Sequence, residues 1–152
     1  MQARNFAKIC GILFIAIGVL GFIPGIVTSP VTQPDPPMVV NLGYGYLAGL
    51  FPVNVLHNLV HLGVGFWGIT SARSPKASLI YCQGLSIFYG LLAVLGLMPV
   101  AGTTMGLIPI FGNDVLLHLA TAAIAGYYGF VVVPGATEAV QEEKRHSSTS
   151  MP

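Results

Sequence analysis

The sequence is short of charge. Of its 152 residues, six are Lys or Arg and five are Asp or Glu, 7% in all, against roughly 25% in soluble proteins. With 54% hydrophobic residues and a mean hydropathy of +0.78, the chain fits neither a soluble globule nor a solvated disordered segment. A formal net charge of +1 leaves no basic face, which excludes nucleic acid as a partner. Cysteine is scarce too. Cys10 and Cys82 both fall at the expected cytoplasmic ends of helices, where free buried thiols are expected rather than a disulfide. Signatures of catalysis are missing: Thr103, Thr104 and Thr121 complete no Ser-His-Asp pattern, and Gly43-Tyr44-Gly45-Tyr46 lacks the Gly-Lys-Ser/Thr ending of a phosphate loop. A non-enzymatic protein with the bilayer as its solvent is therefore expected.

Four apolar runs are long enough to cross a hydrocarbon core: about 6–27, 53–70, 77–98 and 114–133. The cations Arg4, Lys8, Arg73, Lys76, Lys144 and Arg145 lie before the first run, between the second and third, and after the fourth. By the positive-inside rule both termini and the 71–76 turn are cytoplasmic, and segments 28–52 and 99–113 are outside. Arg4 and Lys8 before an apolar stretch resemble a signal peptide, but no A-x-A-like site follows, so an uncleaved helix is expected. Residues 1–133 then form one transmembrane domain, and 134–152, including His146, a disordered cytoplasmic tail. The proline-rich start of segment 28–52 predicts an extended strip. Its apolar second part fits either a short amphipathic helix or a re-entrant piece.

The chain also repeats itself. Val19-Leu20-Gly21-Phe22-Ile23-Pro24 matches Val94-Leu95-Gly96-Leu97-Met98-Pro99, and Val55-Leu56-His57 matches Leu116-Leu117-His118. The fold class expected is an all-α integral membrane bundle of four helices, made of two hairpins as parallel repeats, with both termini inside. Small residues supply its packing faces: Gly11, Gly18, Gly21 and Gly25 on the first helix, Gly65 and Gly68 on the second, Ser86, Gly90 and Ala93 on the third, and Ala122, Ala125 and Gly129 on the fourth.

Polar groups inside spans are costly and mark candidate sites. Asn54, His57 and His61 share one face of the second helix, and Asp114 and His118 share one face of the fourth. Both helices descend from the outside, so His57 and His118 lie about one turn below the outer surface and His61 a turn deeper. Three chemistries fit. His57 and His118 suit the axial positions of a haem b. His57, His61, His118 and Asp114 suit copper or zinc. The same groups without a cofactor suit a proton or ion relay. Against these stands a purely structural network joined by Asn54, Asn58 and Asn113, with Asp114 and Asn54 capping their helices.

The stretch Pro52-Val53-Asn54-Val55-Leu56-His57-Asn58-Leu59-Val60-His61, with Gly63 and Gly65, combines with Gly106-Leu107-Ile108-Pro109 and Asn113-Asp114-Val115-Leu116-Leu117-His118-Leu119. In this combination the chain resembles the bacterial domain-of-unknown-function family 4383, from the first helix to about Phe130. The resemblance implies a four-span bacterial inner-membrane protein and no particular activity. The first expectation for function is a structural or accessory subunit, in contact with lipid and with other membrane subunits or further copies of itself. A haem- or metal-binding protein and a small ion or proton permeation unit are the alternatives.

Overall fold

The computed structural model describes residues 3–29 and 35–132. Helix α1 spans Ala3–Leu20, α2 Val55–Ser71, α3 Pro75–Gly96 and α4 Asn113–Gly126, the last continuing into a single π-helical turn, Tyr127–Val131. Three short strands, β1 (Val27–Thr28), β2 (Gly45–Leu47) and β3 (Phe51–Val53), lie between α1 and α2. They form an antiparallel sheet in the order β1-β2-β3, with Val27 opposite Leu47 and Gly45 opposite Val53. The chain is thus mostly helical with a small sheet at one end, where an all-helical chain was expected. The tail from residue 134, His146 included, lies outside the described residues.

Side-chain chemistry sets the helix starts. The Ser74 hydroxyl accepts from the Ala77 N–H ahead of Pro75 in the first turn of α3. The Asn54 side chain does the same for α2, accepting from the His57 N–H at 2.9 Å. Asp114 does not cap α4 as expected: Gly112, at φ +65°, occupies the cap position with no side-chain bond. The first apolar run also departs from expectation, because the helix stops at Leu20 rather than 27. Gly21 begins a series of turns, and Gly25 adopts φ +91° with open space around it, so it supports the turn into β1 instead of a helix face.

Helix α1 packs mainly on α2, and α3 on α4. The approach in the first pair is backbone to backbone. A Cβ at Gly11 would stand 2.8 Å from the Gly65 carbonyl oxygen, and one at Gly68 2.9 Å from the Gly11 Cα. Glycine is required at this crossing, as the small-residue stripes implied. In the second pair a Cβ at Gly129 would stand 2.9 Å from the Gln83 backbone nitrogen. The Gln83 side-chain amide donates to the Gly129 carbonyl at 3.0 Å, beside the π-helical turn. Between the pairs lies a core of four aromatic rings, Phe6, Phe14, Tyr81 and Tyr89, closed by Leu85, Ala7, Ala122 and Ala125.

Among the described residues three helices are long and apolar enough to cross a membrane: Ala3–Leu20, Pro75–Gly96 and Asn113–Val131. Helix α2, of 17 residues, covers about 26 Å at the α-helical rise of about 1.5 Å per residue. The distribution of polarity is inverted relative to a soluble bundle. Ile87 (67% exposed), Phe66 (68%) and Leu116 (68%) face outward, while Asn54, Asn58, His57, His61, Asp114 and His118 are buried. Apolar residues outside and polar residues within are what a lipid solvent selects.

Candidate metal centre between helices α2 and α4

The site begins with Asn54. Its side chain caps α2 and uses its amide N–H groups to donate to the carbonyls of Val40 at 3.0 Å and Leu107 at 2.7 Å. One residue thereby fastens the head of α2 to both the α1–α2 and the α3–α4 connections, which are tied to each other where the Val39 and Val40 N–H groups donate to the Gly106 carbonyl. Asn58 secures the opposite face, donating to the Gly21 carbonyl at 2.7 Å just past the end of α1. A Cβ at Gly21 would overlap the Asn58 side chain, so glycine and asparagine are matched there. Asn113 is peripheral: exposed, it donates to the Leu50 carbonyl at 3.1 Å. The network of asparagines thus positions the histidines without contacting them, apart from the cap on the His57 N–H.

His57 sits in the first turn of α2, where the chain has just left β3. Its Nδ1 lies 3.1 Å from the Pro52 carbonyl oxygen. A carbonyl can only accept, so Nδ1 carries the hydrogen and the neutral ring directs the Nε2 lone pair the other way. That lone pair faces Asp114 Oδ2 at 3.6 Å, and the same oxygen lies 4.0 Å from His118 Nε2. Asp114 occupies the first turn of α4, where the positive end of the helix favours a carboxylate. Both side chains are buried, Asp114 to 2% exposure and His118 to 1%.

Among the described residues, His57, Asp114 and His118 each offer one donor atom, all within 4.8 Å of one another. His61, expected as a fourth ligand, is not in this group. One turn deeper by its i+4 spacing, it is held between the His57 ring, with centroids 4.5 Å apart, and the Phe14 ring at 5.6 Å. Tyr89 of α3 presses against His118 at 5.1 Å, a neighbour with no signature in the sequence. A cavity of about 40 Å³ lies against these groups, lined by His57, His61, His118, Tyr89, Thr104 and Ile110 among others. Three buried polar atoms here make no hydrogen bond within the protein: Asp114 Oδ2, His118 Nδ1 and His61 Nδ1.

Donors of this kind suit a small cation. Tetrahedral ligands about 2.0–2.1 Å from a metal lie about 3.3–3.5 Å apart, so donor atoms separated by 3.6 Å, 4.0 Å and at most 4.8 Å must draw together by side-chain movement to close on an ion. The Pro52 carbonyl already orients one imidazole, as outer-shell acceptors do in metal sites. A haem between His57 and His118 is a poor fit, because the adjoining cavity of about 40 Å³ is far smaller than a porphyrin.

A second polar group, not anticipated from the sequence, stands in the connection between α1 and α2. Asp35 accepts from the Tyr44 hydroxyl at 2.8 Å and from the Tyr46 hydroxyl at 2.7 Å, one phenol on each carboxylate oxygen. Partial burial, followed by the Asp35 carboxylate, pushes the Tyr46 phenol up to about 12 and raises Tyr44 further. The Tyr44 and Tyr46 positions, two residues apart, place both rings on one side of the β2 segment, where they clasp the carboxylate.

No curated protein and no solved structure matches the chain. The family model described as "Domain of unknown function (DUF4383)" matches residues 4–131, a range that takes in all four helices and every residue of the buried cluster, and the chain therefore belongs to that family.

Proposed function

We propose that this chain is a four-span protein of the bacterial inner membrane that holds a zinc- or copper-class ion between α2 and α4, with His57, His118 and Asp114 as ligands. In this reading the two helix pairs are parallel repeats, both termini are cytoplasmic, and His57 and His118 are related positions near the outer face. The pairing of α1 with α2 and of α3 with α4 supports the two-hairpin arrangement. Imidazole and carboxylate donors suit zinc or copper rather than magnesium or calcium, which favour oxygen ligands throughout.

A single observation carries the proposal. With its Nδ1 hydrogen committed to Pro52, His57 turns a lone pair toward a carboxylate oxygen. Two electron-rich atoms buried face to face repel unless a proton or a cation lies between them. At 3.6 Å they stand too far apart to share a proton in a good hydrogen bond, and a metal ion spans that gap more readily. The purely structural network accounts for the asparagine amide N–H groups, which find carbonyl partners, but leaves Asp114 Oδ2 and His118 Nδ1 without any, as it does Asn58 Oδ1. An accessory role in a larger assembly is compatible with the metal site, and the ion would then be the cargo or brace of that subunit.

The test is elemental analysis of the full chain purified in mild detergent and exposed to zinc or copper, then freed of excess metal. The expected result is one equivalent retained by the wild type and by H61A, and none by H57A or D114N. Retention that is unaffected by H57A and D114N would refute the assignment. A wild type that retains no metal and instead titrates a proton at the cluster would favour the relay.

A further inference from the structure

The opposite end of the bundle carries a site of different chemistry. Arg4 and Lys8, four residues apart and therefore on one face of α1, converge with Arg73 of the α2–α3 turn around an open recess of about 460 Å³. Asn5, Ile69 and Ala72 complete the lining, and among the described residues no carboxylate contributes to it. Arg4 is held in place: its Nε donates to the Ala72 carbonyl at 3.0 Å, fixing the guanidinium against the turn. Helices α1 and α3 both begin at this end, so the positive ends of two helix dipoles act in the same direction as the three cations. The carbonyl ends of α2 and of the π-helical turn that ends α4 oppose them, so the three cations carry the field, and the Arg4 bond to Ala72 neutralises part of the α2 end.

We infer that this recess binds the phosphate of an anionic phospholipid headgroup. The positive-inside pattern requires cations near this end but does not require them to converge on one cavity. A guanidinium suits paired phosphate oxygens, and Lys8 supplies a point charge beside it. The recess adjoins apolar helix surface: Ile69 forms part of its wall, and Ile9 and Ile12 of α1 are exposed nearby along the helix. A phosphate on an acyl-bearing lipid, with its chains against such a surface, meets both halves of this environment. Free phosphate meets only one. Basic pockets between membrane helices on the cytoplasmic side recognise lipid headgroups by this chemistry. The inference rests on the membrane-spanning reading of the chain.

The experiment is native mass spectrometry of the full chain in detergent, titrated with phosphatidylglycerol or phosphatidylcholine of matched acyl chains. One phosphatidylglycerol is expected to be retained in preference to phosphatidylcholine. K8Q and R73Q should each weaken its retention about fivefold, the factor for one cation near an anionic headgroup. R73K should keep most of the preference, and K76Q, altered outside the recess, should keep all of it. Equal retention of the two lipids by the wild type would overturn the inference without any variant, as would a K76Q loss equal to that of R73Q. Inorganic phosphate at millimolar concentration should not displace the lipid. If it binds in the lipid's place through the same three cations, the lipid assignment is wrong. Recovery of the chain in the soluble fraction without detergent would instead overturn the membrane reading itself.

Discussion

Exchanging Gly65 for alanine tests the α1–α2 interface against an internal control two residues away. A Cβ at Gly65 would stand 2.7 Å from the Ile15 backbone nitrogen and 2.8 Å from the Gly11 carbonyl oxygen, whereas a Cβ at Gly63 meets nothing within 4 Å. Ordinary contact begins about 3.4 Å out, so α1 and α2 must part by roughly 0.6–0.7 Å at the crossing to admit the methyl group. Displacements of that size forfeit a quarter to a half of each dispersion well along the seam, and overpacking of a close interface costs about 1–3 kcal/mol. Both substitutions gain the same helix propensity, about 1 kcal/mol for Gly to Ala. The propensity gain therefore cancels in the comparison, and G65A should be less stable than G63A by about 1–3 kcal/mol. Denaturant titration of the two variants in one micelle system, followed by far-UV circular dichroism, measures the difference. Equal midpoints and slopes would refute the backbone-to-backbone contact on which the position of α2, and with it His57 and His61, depends.

Other perturbations reach the outer cap and the site. Removing the Asn54 side chain in N54A deletes a helix cap and two part-buried hydrogen bonds to loop carbonyls, for an expected loss of about 2–3 kcal/mol in thermal or chemical unfolding. N54D, which keeps the cap but turns a buried carboxylate oxygen against both carbonyls, should lose at least as much as N54A. Of the six tyrosines, Tyr46 should ionise only at about pH 12 and Tyr44 later still, which phenolate absorbance reports. The sign follows from the raised folded-state values: the stabilisation from the two neutral phenols is full below about pH 10, the unfolded value, and is lost as pH climbs through the folded one. In Y46F the step at about 12 should disappear, and its persistence would contradict the assignment.

Much of the helical architecture was legible because charge is so rare that each charged residue carries information. The buried cluster was legible for the same reason: Asn54, His57 and His61 recur at helical spacing in an otherwise apolar stretch, as do Asp114 and His118. The matched segments also led to the expectation that His57 and His118 face each other, and their ring centroids lie 6.4 Å apart. Sequence spacing could not separate His61 from the group, since an i+4 residue shares the face of His57 while sitting about 6 Å deeper along the axis. The sheet was hidden because its strands are two or three residues long, and one contains Pro52, a residue that normally argues against a strand. Its pairing is a tertiary effect of the turn after Leu20 that brings Val27 beside Leu47. The roles of the Pro52 carbonyl and of Tyr89 were invisible for a similar reason: a backbone acceptor has no sequence signature, and Tyr89 reads as one more apolar residue of α3. Asp114 was legible as a buried charge, but its role as a cap was not realised because Gly112 already fixes the start of α4.

The central claim is a metal ion held by two imidazoles and a carboxylate in a buried setting. Cobalt(II) titration of the metal-free full chain in detergent tests it most directly, because a cobalt ion in a four-coordinate protein site absorbs visible light far more strongly than the hydrated ion. The prediction is a strong visible spectrum that saturates at one equivalent, is bleached by zinc, persists in H61A and is absent from H57A, H118A and D114N. A titration that gives only the weak spectrum of hydrated cobalt, or a strong one unchanged in D114N, would contradict the account.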